Sequence, residues 1–354
     1  TAPYLIASYY DSSLVDGMAG SVNTPPNKDI RWEKTTTVNV GVDFALFRHR
    51  LSGTIEYYNK YSVDLLAAIN GSPTQGFGYT TLMTNNGKMV NRGVEITLSG
   101  EIIRQKDFSW NASLLYAFNR NKVKHISVQP SLWDSRISMP TSYPMVGKPL
   151  YGIYAYKWAG LNENGDPQVY DAENNVTSGP ARDYHALVYC GTTVPIHNAS
   201  LTNVLRYKGF EFSAMLILDA GHKLRSSNIP SINMSNGRIT STAKGIVDRW
   251  TQPGDVTDVP RLLFSNDTEN FNTHRTELYR YSDLFVYDAS NIRLSNISLA
   301  YRVPAHWCKK ISLSGARLQF NVENVATFAF DSKANYDLGG KVKPNYVWGL
   351  YLNF

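Results

Sequence analysis

Two cysteines, Cys190 and Cys308, are all that 354 residues contain. They are too few for a disulfide scaffold or a zinc ribbon, and far too widely spaced for a CxxC redox site. They either pair with each other or are two unrelated thiols. Long apolar runs are also missing. Ala214–Leu218 is about as long as they get before Asp219 interrupts, whereas a membrane helix needs roughly 20 such residues. A helical membrane protein is therefore excluded. None of the seven histidines lies in an HExxH or comparable metal spacing. There is no Walker loop, no GxGxxG and no GxSxG nucleophile elbow. Asn162-Glu163-Asn164-Gly165-Asp166 resembles a calcium loop but lacks the distal Glu, so it reads as a turn. Asp255 and Asp258 could serve a glycosidase only if held some 5–10 Å apart across a cleft. The expectation is no metal, no cofactor and no catalytic residue.

Aromatic residues, by contrast, are abundant. There are 23 Tyr, 14 Phe and 7 Trp, yet mean hydropathy is only −0.30. That combination suits a β-barrel in a membrane, which alternates apolar and polar residues and carries aromatic girdles at both interfaces. The chain ends on such a strand. Tyr346, Trp348, Leu350, Leu352 and Phe354 share one side of an extended segment. Terminal residues usually fray, but a barrel's last strand has to close the cylinder and present an apolar stripe to lipid. The alternative for this segment is a soluble sandwich with a packed last strand. The formal charge of +6 is spread along the chain. It reads as solvated loops and lumen, and no nucleic-acid partner is expected. Outer-leaflet head groups or an acidic substrate are the anionic partners compatible with it.

Alternation recurs upstream. Val38, Val40, Val42, Phe44 and Leu46 form one apolar face, and Leu51, Gly53, Ile55 and Tyr57 follow after Arg48-His49-Arg50 as the second arm of a hairpin. Val94–Leu98 and Phe108–Phe118 make another pair, with Gly100–Asp107 as the short turn. Ser200–Tyr207 and Phe210–Leu218 flank Lys208-Gly209. Asn291–Tyr301, Leu318–Val322 and the closing strand complete the series. With unnamed neighbours the total comes to about 10–12 strands of bilayer-spanning length. Short connections alternate with long polar ones at 68–85, 124–146, 162–197, 223–275 and 326–344. Such loops count against a compact soluble domain and belong on one side of an outer-membrane barrel. Gly53 and Gly93 inside strands mark a bulge, bend or close backbone approach. Arg92 is expected to face the lumen or a turn rather than lipid.

Several stretches resemble the SusC/RagA-like TonB-dependent transporters of the Bacteroidetes outer membrane. They are Arg31-Trp32-Glu33-Lys34-Thr35, Gly53–Lys60 with Asp64-Leu65-Leu66, Asn86-Gly87, and Asn91-Arg92-Gly93-Val94-Glu95. Tyr207–Glu211, Arg249-Trp250 with Pro253-Gly254-Asp255, Tyr287–Leu294 and the terminal Phe354 follow in the family's order. The resemblance implies an all-β fold, the C-terminal part of an antiparallel transmembrane barrel of 22 strands with a plugged lumen. It covers 31–354, with 1–30 as a surface-loop segment leading into the barrel; Tyr4–Met18 is a plausible place for a nick. The plug and the remaining strands would be a separate polypeptide or a missing portion.

The function so implied is import of an oligosaccharide or oligopeptide across the outer membrane of a Gram-negative bacterium. TonB would act through the plug, and a SusD-like surface lipoprotein would assist capture. Substrate-contact candidates are the loop aromatics and histidines Trp133, Tyr143, Tyr184, His185, Phe271, His274 and Tyr336. Tyr346, Trp348, Leu350, Leu352 and Phe354 form the barrel-closing and assembly strand. A passive porin and a surface carbohydrate-binding or adhesin β-protein are the rival functions.

Overall fold

Nine antiparallel strands build the main sheet of the computed structural model, which describes residues 6–11, 17–24, 27–70, 81–128, 135–179, 183–235, 238–243, 245–262, 273–310, 312–338 and 343–354. They are β1 (Lys34–Leu46), β2 (Leu51–Asn70), β3 (Thr81–Arg104), β4 (Phe108–His125), β5 (His197–Tyr207), β6 (Phe210–Ala220), β7 (Asn291–Arg302), β8 (Gly315–Ala329) and β9 (Asn345–Asn353). Each pairs with its neighbour in chain order, so the sheet is an uninterrupted meander with β1 and β9 at its edges. Every strand named from the sequence belongs to it. The described wall has nine strands against the about 10–12 expected, because the further alternating stretches form small sheets inside the long connections. A further hairpin, Ile6–Asp11 with Met18–Thr24, precedes β1.

The connections differ by end. At one end lie 47–50, 105–107, 208–209 and 303–314; at the other lie 126–196, 221–290 and 330–344, each longer than any of the first set. The short turn after β3 is only Gln105–Asp107, because Gly100–Arg104 continues the strand past a bulge between Glu101 and Ile103. The long connections are also fewer than expected, and two of them are longer. The segments 124–146 and 162–197 belong to one excursion that includes the loop strand Gly152–Tyr156, and 276–290 extends the next one.

Side chains directly opposite across a ladder share a face, so the register shows how the wall is divided. One face carries Val42, Ile55, Ile96, Tyr116, Ala199, Leu218, Ile292 and Phe328 in a single row from β1 to β8. A parallel row runs Leu205, Phe212, Leu299, Phe320 and Trp348. The other face carries Asp43, Thr54 and Thr97, then Ser52, Ser99, Ser113 and Thr202. Apolar residues thus point away from the protein: Val40 is 62%, Trp348 78% and Leu350 61% exposed. Among the described residues no second sheet of comparable size covers them, which argues against the sandwich alternative. This is the pattern of a barrel wall with lipid outside and a polar lumen.

Two glycines keep the wall thin where an aromatic ring lies across the pair. A Cβ on Gly93 would stand 2.4 Å from the Tyr58 ring, and one on Gly53 3.0 Å from Phe44 and 2.3 Å from the Thr97 carbonyl. The expected close approach is therefore what these positions provide. Arg92 departs from expectation. Its parity is that of Val94, Ile96 and Leu98, so it lies on the outward face, in a strand that continues beyond the apolar rows.

Candidate functional site

Among the described residues the buried core cluster lies not in the wall but in the long connections. Gly152–Tyr156 pairs with Leu187–Thr192, and Trp158–Leu161 with Pro167–Tyr170. Against these strands the helix Thr273–Arg280 sets Leu278, in one cluster with Tyr154, Tyr156, Val169, Ala186 and Leu187. Burying such apolar side chains, at about 1.5–3 kcal/mol each, is what holds excursions this long in a defined shape.

An ionic knot fixes the helix to the turn at Asn162. Asn162 Oδ1 accepts from the backbone N–H of Asn164 and of Asp166, both at 2.9 Å. The resulting turn, with Gly165 at φ +74°, presses against Trp250. Asp166 then accepts from Arg261 Nε and Nη2 at 3.1 and 3.0 Å, and from Arg275 Nε at 2.6 Å. Arg275 also donates to the Arg261 carbonyl. Burial alone would raise the Asp166 pKa, but hydrogen bonds and charge from the two guanidinium groups hold it below the ordinary value. The carboxylate is committed to arginine, so the turn reading of 162–166 holds.

A third arginine, Arg225, is held by carbonyls and stands over the Tyr281 ring, 5.4 Å from its centroid. Arg225 donates from Nη2 to Tyr154 O at 2.6 Å and from Nη1 to Ser282 O at 3.3 Å, and burial pushes its pKa down. Nearby, Asp337 accepts from Ser226 Oγ at 2.7 Å and from Ser227 N and Oγ at 3.0 and 2.7 Å, tying the connection 330–344 to 221–290. Burial raises the Asp337 pKa, and these donors more than offset it. Lys223 Nζ meets Asp288 at 3.0 Å; burial opposes ionisation there, but Ser290 and Lys223 lower the pKa to about 2.

Between these elements opens a cavity of about 640 Å³, lined among others by Arg225, Arg261, Arg275, Arg280, Tyr279 and Tyr281. Guanidinium donors beside tyrosine rings suit a ligand rich in hydrogen-bond acceptors, such as a peptide, a sugar or an acidic group. Sequence reasoning passed over these arginines. They are scattered between 225 and 280, and only their shared partner Asp166 shows that Arg261 and Arg275 converge.

The residues proposed from sequence are dispersed. Trp133 and Phe271 lie outside the described residues, and so do the side chains of Tyr184, in a 3-10 turn, and of His274, in the helix. Tyr143 is half-buried, and its carbonyl accepts from Arg136 Nε at 3.3 Å. His185 is exposed, with Nδ1 2.6 Å from Asp183, and Tyr336 is half exposed. Of the three whose side chains are described, Tyr143, His185 and Tyr336, none lines the cavity. Tyr346, Trp348, Leu350 and Leu352 do share the outward face of β9. Asp255 caps Thr251 and Gln252, and Asp258 accepts from Trp158 Nε1 at 2.9 Å, so both belong to loop architecture. Both cysteines are free thiols, and burial above all pushes Cys190 up to about 11.

Comparison with known proteins agrees with this geometry. Residues 1–325 match the family described as TonB dependent receptor-like, beta-barrel. TonB-dependent receptor P3 of Formosa agariphila is 25% identical over 92% of this chain and 33% of its own length. TonB-dependent receptor SusC of Bacteroides thetaiotaomicron is 25% identical over 84% of the chain and 29% of its own. The RagAB peptide transporter superposes over 99% of the chain and 38% of the matched chain, with a TM-score of 0.75 at 22% identity, which establishes the shared fold. The chain spans about a third of the length of these relatives. It belongs to the TonB-dependent receptor β-barrel family, a family of outer-membrane proteins without enzymatic activity.

Proposed function

We propose that the chain is the C-terminal part of a SusC/RagA-type importer that carries an oligosaccharide or oligopeptide through the outer membrane. Residues 31–354 would supply wall, surface loops and part of the substrate cavity, and 1–30 a loop leading into them. The observation that carries this reading is a lipid-outside, polar-inside wall that holds a folded loop layer, with its arginine- and tyrosine-lined cavity, at one end only. A plain diffusion pore has no need of an ordered ligand-sized cavity on its loops. In this reading a plug and the remaining strands complete the barrel, TonB drives it through the plug, and a SusD-like lipoprotein closes over the loops. Tyr143, His185 and Tyr336 would contribute at the rim, with Trp133, Tyr184, Phe271 and His274.

The test is uptake of labelled glycans and peptides by cells with and without the intact gene, each with and without a protonophore. The expected result is that deletion abolishes uptake of one ligand class and that the protonophore does the same in wild-type cells. Uptake that persists without a proton gradient would indicate a passive porin. Unchanged uptake of every tested ligand after deletion would overturn import altogether.

A further inference from the structure

At the long-loop end, β3 and β4 outrun β5. His197 is the first residue of β5 and pairs with Phe118, beyond which β4 continues to His125. The outward row at that level is Val40, Tyr57, Val94 and Phe118. One step further along the strands the outward positions are Val38, Asn59, Arg92 and Arg120, and the step after that brings Lys122 opposite Val90. On β4 the outward face therefore changes from Phe118 to Arg120 and Lys122 within a single pleat, and on β3 from Val94 to Arg92, with Tyr61 and Val90 beside Lys122 in the next row.

Arg92 and Arg120 are direct cross-strand partners, and both are exposed. Like charges in that relation repel unless an anion lies between them. Arg92 Nε donates to Asn59 Oδ1 at 3.0 Å. Among the described residues no carboxylate stands within 4.0 Å of Arg92, Arg120, Lys122 or Lys148. Where β5 is missing, residues 147–150 take its place beside β4: Gly147 N donates to Val123 O at 2.8 Å and Val123 N to Lys148 O at 2.9 Å. This leaves a notch of about 150 Å³ lined by Arg120, Lys148, Asn121, Tyr189 and Thr192, with Lys148 Nζ 4.7 Å above the Tyr189 ring.

We propose that Arg92, Arg120, Lys122 and Lys148 form a binding site for the phosphate groups of outer-leaflet lipid. The apolar rows beneath fix where acyl chains end, so an anion bridging Arg92 and Arg120 sits at head-group height. Arginine suits phosphate because its fork can engage two oxygens at once. The site rests on the chain's place in a membrane barrel and is independent of what the barrel imports.

The experiment uses the intact receptor in detergent, folded as judged by its heat-dependent shift in electrophoretic mobility. Fluorescent lipid A bearing both phosphates is titrated against it, alongside the dephosphorylated lipid and inorganic phosphate. The variants are R92Q/R120Q/K122Q and, as a control in a turn at the opposite end, K106Q. Tight binding of the phosphorylated lipid is expected, weakened about a hundredfold in the triple variant and unchanged in K106Q. Equal affinity for the dephosphorylated lipid, equal affinity in the triple variant, or inorganic phosphate binding as tightly as the lipid would each overturn the proposal. Should the triple variant fail to fold, R120Q alone is read in the same way, with about a fivefold loss expected.

Discussion

Asp166 concentrates the electrostatic order of the loop layer. Two arginines converge on it, and only about a fifth of its side chain is exposed. Replacing it by Asn would leave Arg261 and Arg275 without a counter-ion and cost about 2–3 kcal/mol, below the 3–5 of a fully buried pair. In D166N at neutral pH, thermolysin is expected to cut within 162–275 roughly 30-fold faster than in wild type; equal rates would mean that the knot stabilises nothing. The pH dependence has a fixed sign. The folded pKa of Asp166 lies below its ordinary 3.8, so the stabilisation is present above that value and is lost as pH falls through the depressed one. Wild-type loops should therefore loosen only in strong acid, seen as loss of near-ultraviolet circular dichroism, while D166N lacks that transition. Gly93 is the counterpart in the wall. With Tyr58 at 2.4 Å and the Phe118 carbonyl at 2.5 Å from an added Cβ, Gly93→Ala should cost about 1–3 kcal/mol in urea unfolding of the intact receptor. A null effect would show that the Tyr58 ring is free to move aside.

For a strand, the decisive property is which face each residue occupies. On β6, Leu216 is in the outward row with Leu201 and Leu294, whereas Met215 points inward opposite Thr202 and Asn296. Arginine at Leu216 would sit in hydrocarbon and is expected to destabilise the barrel by about 2–4 kcal/mol, while Met215→Arg enters a polar lumen at little cost. Urea titration of the two folded variants compares them directly, and equal midpoints would contradict the facing derived from register. Much of this was legible beforehand: strict alternation at Val38–Leu46 and Phe210–Leu218, and the turn at Lys208-Gly209, place whole hairpins. Alternation fails at bulges. In β7 the outward set is Tyr301, Leu299 and Ile297, then Leu294 and Ile292, because a shift between Leu294 and Asn296 changes the parity. The facing of Arg92 was misread for a related reason: its neighbourhood looks like a strand boundary, whereas β3 runs unbroken for 24 residues. The loop core was least legible of all. Leu278 meets Tyr154 and Val169 across more than a hundred positions with no common period, and Asp166 finds Arg275 109 residues away.

On the scale of the whole molecule, the main fact is an open sheet with two unpaired edges. β1 has 13 residues and β9 has nine, and along each the backbone groups that face away from the sheet meet no partner among the described residues. In water those groups are solvated; in hydrocarbon each would cost several kcal/mol. Summed over two edges, that penalty exceeds what the apolar outward rows can recover for an open wall, so insertion requires both edges to be paired. The relatives, about three times longer, have chain enough to supply partners for both edges. The expected outcome is that the 354-residue chain, refolded alone with lipid vesicles, yields no heat-modifiable band and no protease-protected wall. Refolded together with the remainder of the larger barrel proposed above, it should yield both. Trp348→Pro would sharpen the result, since a proline in β9 removes a backbone donor and should block the two-piece assembly while leaving the loop layer's protease pattern intact. If the chain inserted by itself as a protected species, pairing of β1 with β9, within one copy or between copies, would have to replace the larger barrel.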